Sequence, residues 1–154
     1  MEVRLLSSFG KKSLRARIAK EISELMSTKR DAWSTSKILE VSVTPNCNII
    51  GVYDGANLAG VMFYDHENDS LDAFRVCIKA AYTAEETFLF LMLRYMDVFY
   101  ENSMTSGSVF IYDEDTDIQC ILRDVMEIPA VPSEVEEEGY IMFKIERDEE
   151  DVSI

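Results

Sequence analysis

Histidine occurs once in this 154-residue chain, cysteine and proline three times each, and glycine six times. Cys47, Cys77 and Cys120 are odd in number and widely spaced, and they form no Cys-x-x-Cys pair beside a histidine. A disulfide framework and a zinc site are therefore not expected, and Cys77 and Cys120, in apolar surroundings, read as small core residues. His66 stands in a polar turn with no nucleophile nearby, which leaves it a surface role. No apolar run reaches the ~18 residues of a membrane span. Met1 to Leu6 lack a charged leader, a long apolar segment and a small-residue cleavage site, so the expected location is cytoplasmic.

What is present describes a packed chain. Hydrophobic residues make up 47% and aromatics 10%, too rich for disorder and enough for one core. The formal charge of −14 is unevenly spread: residues 1–40 carry nine Lys/Arg and five Asp/Glu, residues 41–154 six and twenty-four. Such a field repels nucleic acid and anionic membranes and suits a protein partner with a basic surface, although acidic residues also serve simply to keep a small protein soluble.

The order of elements follows from periodicity. Val3–Ser7 reads as a strand. Ser13 is placed to cap a helix through about Ser27, with Leu14, Ile18, Ile22, Leu25 and Met26 on one face. A short helix is expected around Trp33 and a strand over Ile38–Thr44. Ile49–Tyr53 and Leu58–Tyr64, joined by Asp54-Gly55-Ala56-Asn57, form a hairpin with Asp-Gly turn chemistry. After a polar turn over Asp65–Ser70, Leu71–Ile78 reads as a third strand. Thr83 to Glu86 then has the pattern of a capping box opening a helix to about Tyr100 that is apolar on nearly every side and so is expected at the centre.

A strand over Ser108–Tyr112 follows, then a second capping box, Thr116 to Gln119, and a helix over about 117–127 closed by Pro129 and Pro132. Glu134–Glu138 read as a charged turn, Tyr140–Ile145 as a last strand, and residues 146–154 as an acidic, flexible tail beyond a single domain of residues 1–145. The class is α+β, a mixed and mainly antiparallel twisted sheet of about six to seven strands flanked by helices.

This layout, with the run Val52-Tyr53-Asp54-Gly55-Ala56-Asn57-Leu58-Ala59-Gly60-Val61, resembles the GCN5-related N-acetyltransferase (GNAT) fold, whose second hairpin often carries a dg-x-x-vG pattern. Small GNAT-like proteins of tailed bacteriophages are similar in size and layout, which would place the chain in a host cytoplasm or a virion. The resemblance implies acetyl-coenzyme A as cofactor, held in a splay between Leu71–Ile78 and Ser108–Tyr112, with Val76, Ile78, Lys79 and Thr83 as the candidate cofactor-binding residues. Asp65, Glu67 and Asp72 are the candidate general bases for an amine acceptor.

The family's pyrophosphate loop, R/Q-x-x-G-x-G/A, falls on Lys79–Ala84, where neither glycine is present. Glu85 and Glu86 follow, acids that favour the helix dipole and compete with a phosphate for it. The family tyrosine that protonates the departing thiolate falls on the helix of Leu122 and Arg123, and no tyrosine occurs between Asp117 and Glu127. Asp113-Glu114-Asp115-Thr116-Asp117 has alternating carboxylates, but Ile118 and Asp124 stand where a calcium loop needs glycine and glutamate, so no metal is assigned.

Three functions fit. One is a GNAT-fold protein with a degenerate acetyl-coenzyme A loop, in which acyl transfer is undecided. The second is a non-catalytic structural or accessory binding protein, such as a phage component. The third is an acidic, DNA-mimicking inhibitor of a nucleic-acid-binding protein.

Overall fold

The computed structural model describes residues 1–131 and 139–147. Seven strands form one sheet: β1 (Glu2–Ser8), β2 (Cys47–Asp54), β3 (Asn57–Glu67), β4 (Ser70–Ile78), β5 (Ser106–Tyr112), β6 (Ala130–Val131) and β7 (Tyr140–Glu146). Their order across the sheet is β1-β2-β3-β4-β5-β7-β6. All neighbouring pairs are antiparallel except β4 and β5, whose parallel pairing requires a crossover, here helix α3 (Ala84–Glu101). The sheet is mixed and mainly antiparallel, in agreement with the expectation from sequence.

Helices cover both faces. On one side α3 lays Phe88, Leu91, Met92, Tyr95 and Phe99 against Ile50, Met62, Leu71, Ala73, Val76 and Val109. On the other, α1 (Ala16–Met26) and α2 (Thr35–Ser42) bury Ile22, Met26 and Ile38 against Ile49, Val61 and Phe63. The composition of α3 suggested a helix surrounded by core. Its apolar residues instead form a stripe, and Leu93 and Tyr100 lie in solvent at 63% and 47% exposure. The hairpin forms as expected, with Gly55 in the left-handed region at φ +60° and Asp54 opposite Asn57.

Several local expectations are corrected. Residues 38–44 are not a strand: α2 occupies Thr35–Ser42, because Ser34 accepts a hydrogen bond from the Lys37 amide at 3.2 Å and Ile38 and Ser42 share a buried face. Tertiary packing outweighs the β-branched composition there, and Trp33 lies just before the helix. Ser13 caps nothing: a turn at Gly10 (φ +77°) bridges Ser8 to Lys12, and α1 begins only after Arg15.

Neither capping box forms. Thr83 holds the N-cap position of α3 without a side-chain bond. Gln119 donates through Nε2 to the carbonyls of Tyr112 and Asp113 at 3.1 and 2.9 Å, tying the next helix to the end of β5. That helix, α4 (Thr116–Cys120), continues as a π-helical turn over Ile121–Val125. It exposes Cys120, whereas Cys47 and Cys77 are buried. Asp65 to Glu67 extend β3 instead of turning, Ala130–Val131 add an edge strand, and Glu146 belongs to β7. Pro132, the turn at Glu134–Glu138 and tail residues 148–154 lie outside the described residues.

The parallel contact between β4 and β5 is tight. Tyr95 donates its hydroxyl to the Leu71 carbonyl at 2.7 Å, and Gly107, opposite Leu71, leaves room for that phenol. A Cβ at 107 would meet both the Tyr95 hydroxyl and the Leu71 carbonyl. Gly107→Ala is expected to lower unfolding free energy by about 2 kcal/mol in urea denaturation, as overpacking against backbone does. In the same assay Ser34→Ala should lose about 1 kcal/mol, the worth of a working cap, while Thr83→Ala stays within about 0.5 kcal/mol.

Candidate functional site

The parallel ladder between β4 and β5 is short. It runs from Ser70 opposite Ser106 to Ala73 opposite Val109 and stops. Immediately beyond, β4 carries an irregularity: Phe63 pairs with Arg75 but Tyr64 with Ala73, so Phe74 has no partner on β3. This extra residue is a β-bulge, which bends its strand and increases local twist. The bulge accompanies the parting of β4 from β5, the strands between which the family resemblance implied a splay.

A cleft of about 770 Å³ opens at the diverging ends, lined by the β4–α3 joint and by α4 with its π-helical turn. The joint is a β-turn in which the Tyr82 amide donates to the Lys79 carbonyl at 3.0 Å and the Lys79 amide to the Ala59 carbonyl at 2.8 Å. The first helical bond of α3 runs from Thr87 to Thr83. With Thr83 not capping, the first-turn amides of α3 take no intrahelical partner. The structure differs here from the self-satisfied helix start that the sequence suggested.

The charge around those amides is adverse to a phosphate. Among the described residues Glu85, Glu114, Asp115, Asp117 and Asp124 line the cleft with Lys29 and Lys79 opposing them, and Lys29 is committed to Asp115 at 2.9 Å. Each carboxylate within roughly 8 Å of a pyrophosphate repels it by on the order of 0.5 kcal/mol even after screening. The joint has no glycine to let the backbone close on a diphosphate. The lining does not fit coenzyme A. Arg30 pairs with Asp113 at 3.3 Å, so two acids of the 113–117 run are already matched by the segment after α1. Among the described residues no group of histidine, cysteine or carboxylate side chains is arranged to hold a metal.

Of the candidate cofactor residues, Ile78, Lys79 and Thr83 line the cleft, while Val76 is buried in the core under α3. The candidate bases lie elsewhere. Asp65 and Asp72 are cross-strand partners, whereas Glu67 is exposed at the hairpin end. Asp72 accepts from Ser108 at 2.6 Å and from Ser70 at 3.1 Å. Asp65 accepts no such bond among the described residues. Burial, then the Asp72 and Glu67 carboxylates, raise its carboxyl above the ordinary value of 3.8.

The sequence reading missed a second group. Cys77 on β4 and Tyr112 on β5 meet across the splay on the α1/α2 face, Sγ to hydroxyl 3.8 Å. Burial pushes the Cys77 thiol up to about 11, which removes it as a nucleophile at neutral pH. Burial, followed by the Cys77 thiol, raises the Tyr112 phenol as well. Beside them Arg75 stacks on Trp33 and Tyr140, its guanidinium carbon 4.6 Å from each ring centroid. A lone arginine within the apolar run Leu71–Ile78 was the signal available in the sequence.

Known structures share this architecture. The ribosomal-protein-S18-alanine N-acetyltransferase of Escherichia coli superposes with a TM-score of 0.70 at 8% identity, over 94% of each chain. The PaiA N-acetyltransferase of Thermoplasma acidophilum, solved with coenzyme A, gives 0.66 at 9% identity, over 96% of this chain and 100% of its own. The diaminobutyrate acetyltransferase EctA of Paenibacillus lautus, solved with L-2,4-diaminobutyric acid and coenzyme A, gives 0.66 at 12%, over 94% and 95%. No protein-family model matches the sequence, and no curated protein matches it. The fold is that of the GCN5-related N-acetyltransferases, and similarity at these identities reaches no further than the fold. No described helix is long and apolar enough to cross a membrane.

A carboxyl raised by folding stabilises the protein below the ordinary carboxylate range and loses that contribution as pH rises through its folded value. Asp65→Asn is therefore expected to unfold at higher urea than the parent at pH 7, with the difference vanishing below pH 3.8, the group's ordinary value. Urea midpoints measured across that range check it.

Proposed function

We propose that this chain is a GNAT-fold binding protein that keeps the shape of the cofactor cleft without the charge to hold coenzyme A. The carboxylate lining of Glu85, Glu114, Asp115, Asp117 and Asp124 carries this reading. Pyrophosphate recognition relies on close backbone amides in a positive field. Here the amides are exposed within a negative one, and the fold alone does not specify a reaction. An accessory role of this kind is what the layout shared with small phage-borne proteins suggests. The net charge of −14 favours a protein partner with a basic surface.

One observation favours acyl transfer as a second reading. Thr83 does not cap α3, so its first-turn amides remain available beside Lys79 in the splay. In that reading Lys79 and Thr83, which line the cleft, are the residues that would hold the cofactor. DNA mimicry draws less support, because Asp113 and Asp115 are matched by Arg30 and Lys29.

Isothermal calorimetry with acetyl-coenzyme A decides between the first two. The parent protein is expected to give no saturable heat at cofactor concentrations on the order of 1 mM. The triple variant Glu85→Gln, Asp117→Asn, Asp124→Asn should bind at least about tenfold more tightly, the worth of removing roughly 1.4 kcal/mol of repulsion. Micromolar binding by the parent would overturn the non-catalytic reading, and Lys79→Glu should then weaken it.

A further inference from the structure

Arg75 owes its position to the bulge. In a regular strand successive side chains alternate between faces, and Leu71 and Ala73 face α3. Strict alternation would send Arg75 into the same apolar cluster. The unpaired Phe74 shifts the phase: Val76 and Ile78 return to the α3 face, while Phe74 and Cys77 join the α1/α2 side and Arg75 reaches its aromatic neighbours there.

Those neighbours form a braced box. Trp33 packs edge-on against Phe63 at 5.2 Å between centroids and lies 6.5 Å from Phe74. Its backbone carbonyl accepts from Ser23 at 2.9 Å. Tyr112 and Tyr140 lie 4.8 Å apart on the other side, and the Arg75 guanidinium is 5.8 Å from the Tyr112 ring. Aromatic faces hold a guanidinium in place and leave its in-plane N–H groups for another partner.

No such partner occurs among the described residues. Nε and Nη1 of Arg75 are shielded from solvent and make no hydrogen bond, and the same holds for the Tyr140 hydroxyl beside them. Nearby cations differ, since Lys29 and Arg30 each pair with an aspartate. A buried donor left unmatched is unfavourable, more so when charged. A planar fork without an acceptor, set rigidly beside the splay, is complementary to a carboxylate.

We infer that Arg75, with Trp33, Tyr112 and Tyr140, forms a recognition site for a carboxylate-bearing ligand, amino-acid-sized or the carboxyl terminus of a peptide. The site needs no coenzyme A, so it stands whichever way the cofactor question falls. It also gives an acidic protein one place where an anion is matched by geometry and not by net charge.

Trp33 is the chain's single tryptophan, and it stacks on the guanidinium, so its fluorescence reads the site directly. The probes are L-glutamate and N-acetylglycine for free carboxylates, Gly-Gly-Gly-Phe for a peptide terminus, and N-acetylglycinamide and Gly-Gly-Gly-Phe-amide as neutral counterparts, all at constant ionic strength. Saturable emission changes are expected with the carboxylates and none with the amides. The stronger of the two carboxylate arms identifies the source. Arg75→Gln should weaken binding at least tenfold. Arg75→Lys, which keeps the charge but not the fork, should weaken it severalfold while circular dichroism stays that of the parent, so the test holds even where the glutamine variant does not fold. No saturation with any carboxylate, an equal response to chloride, or undiminished binding by Arg75→Lys would overturn the assignment.

Discussion

The architecture depends on how little of β4 and β5 is paired. Four residues of each strand form the parallel ladder, locked by the Tyr95 hydroxyl on the Leu71 carbonyl and by the bare backbone of Gly107 beneath that phenol. Beyond Ala73 the bulge at Phe74 turns β4, and the two strands part. The cleft and the Cys77–Tyr112 contact lie at that divergence, and the bulge itself places Arg75. Without the bulge, strict alternation would put Arg75 under α3.

The divergence separates shape from charge. Backbone geometry opens the cleft where β4 and β5 part, and helix α4 with its π-helical turn supplies the opposite wall. Two of the side chains on that wall, Asp117 and Asp124, are acidic, and Glu114 and Asp115 precede them at the cleft. The shape of the cleft and the charge of its lining are therefore separable properties of the chain, as expected when function resides in side chains placed on a fold. Lys29 and Arg30 bind the acidic run to the segment after α1, so these acids have an internal role in joining the two sides of the sheet.

Much of the fold was legible because its signals are local. The Asp54–Asn57 turn, the β-rich runs of β2 and β3, and the apolar helix α3 each show within a short stretch of chain. The capping boxes failed because T-x-x-E and T-x-x-Q specify residue types but not rotamers: Gln119 finds two carbonyls of β5 more accessible than its own helix start. Residues 38–44 failed for a related reason, since a β-rich composition cannot register that Ser34 caps a turn whose buried side packs on β2. Of the candidate site, Ile78, Lys79 and Thr83 were readable from the strand-to-helix joint. The acids of α4 and the aromatic box were not, because their members lie up to 107 positions apart, from Trp33 to Tyr140.

The sequence by itself determined the class of fold, the absence of glycine at the joint, and the acidic balance beyond residue 40, for these reside in residue identity and short-range periodicity. Only the tertiary structure decided which acids surround the cleft, that α3 begins with uncapped amides, and that one arginine stacks between aromatic rings from three distant segments. For the arginine the physical reason is the bulge at Phe74. A single unpaired residue shifts the phase of everything after it in β4, and that shift is fixed by the neighbouring strand and the helices packed on it.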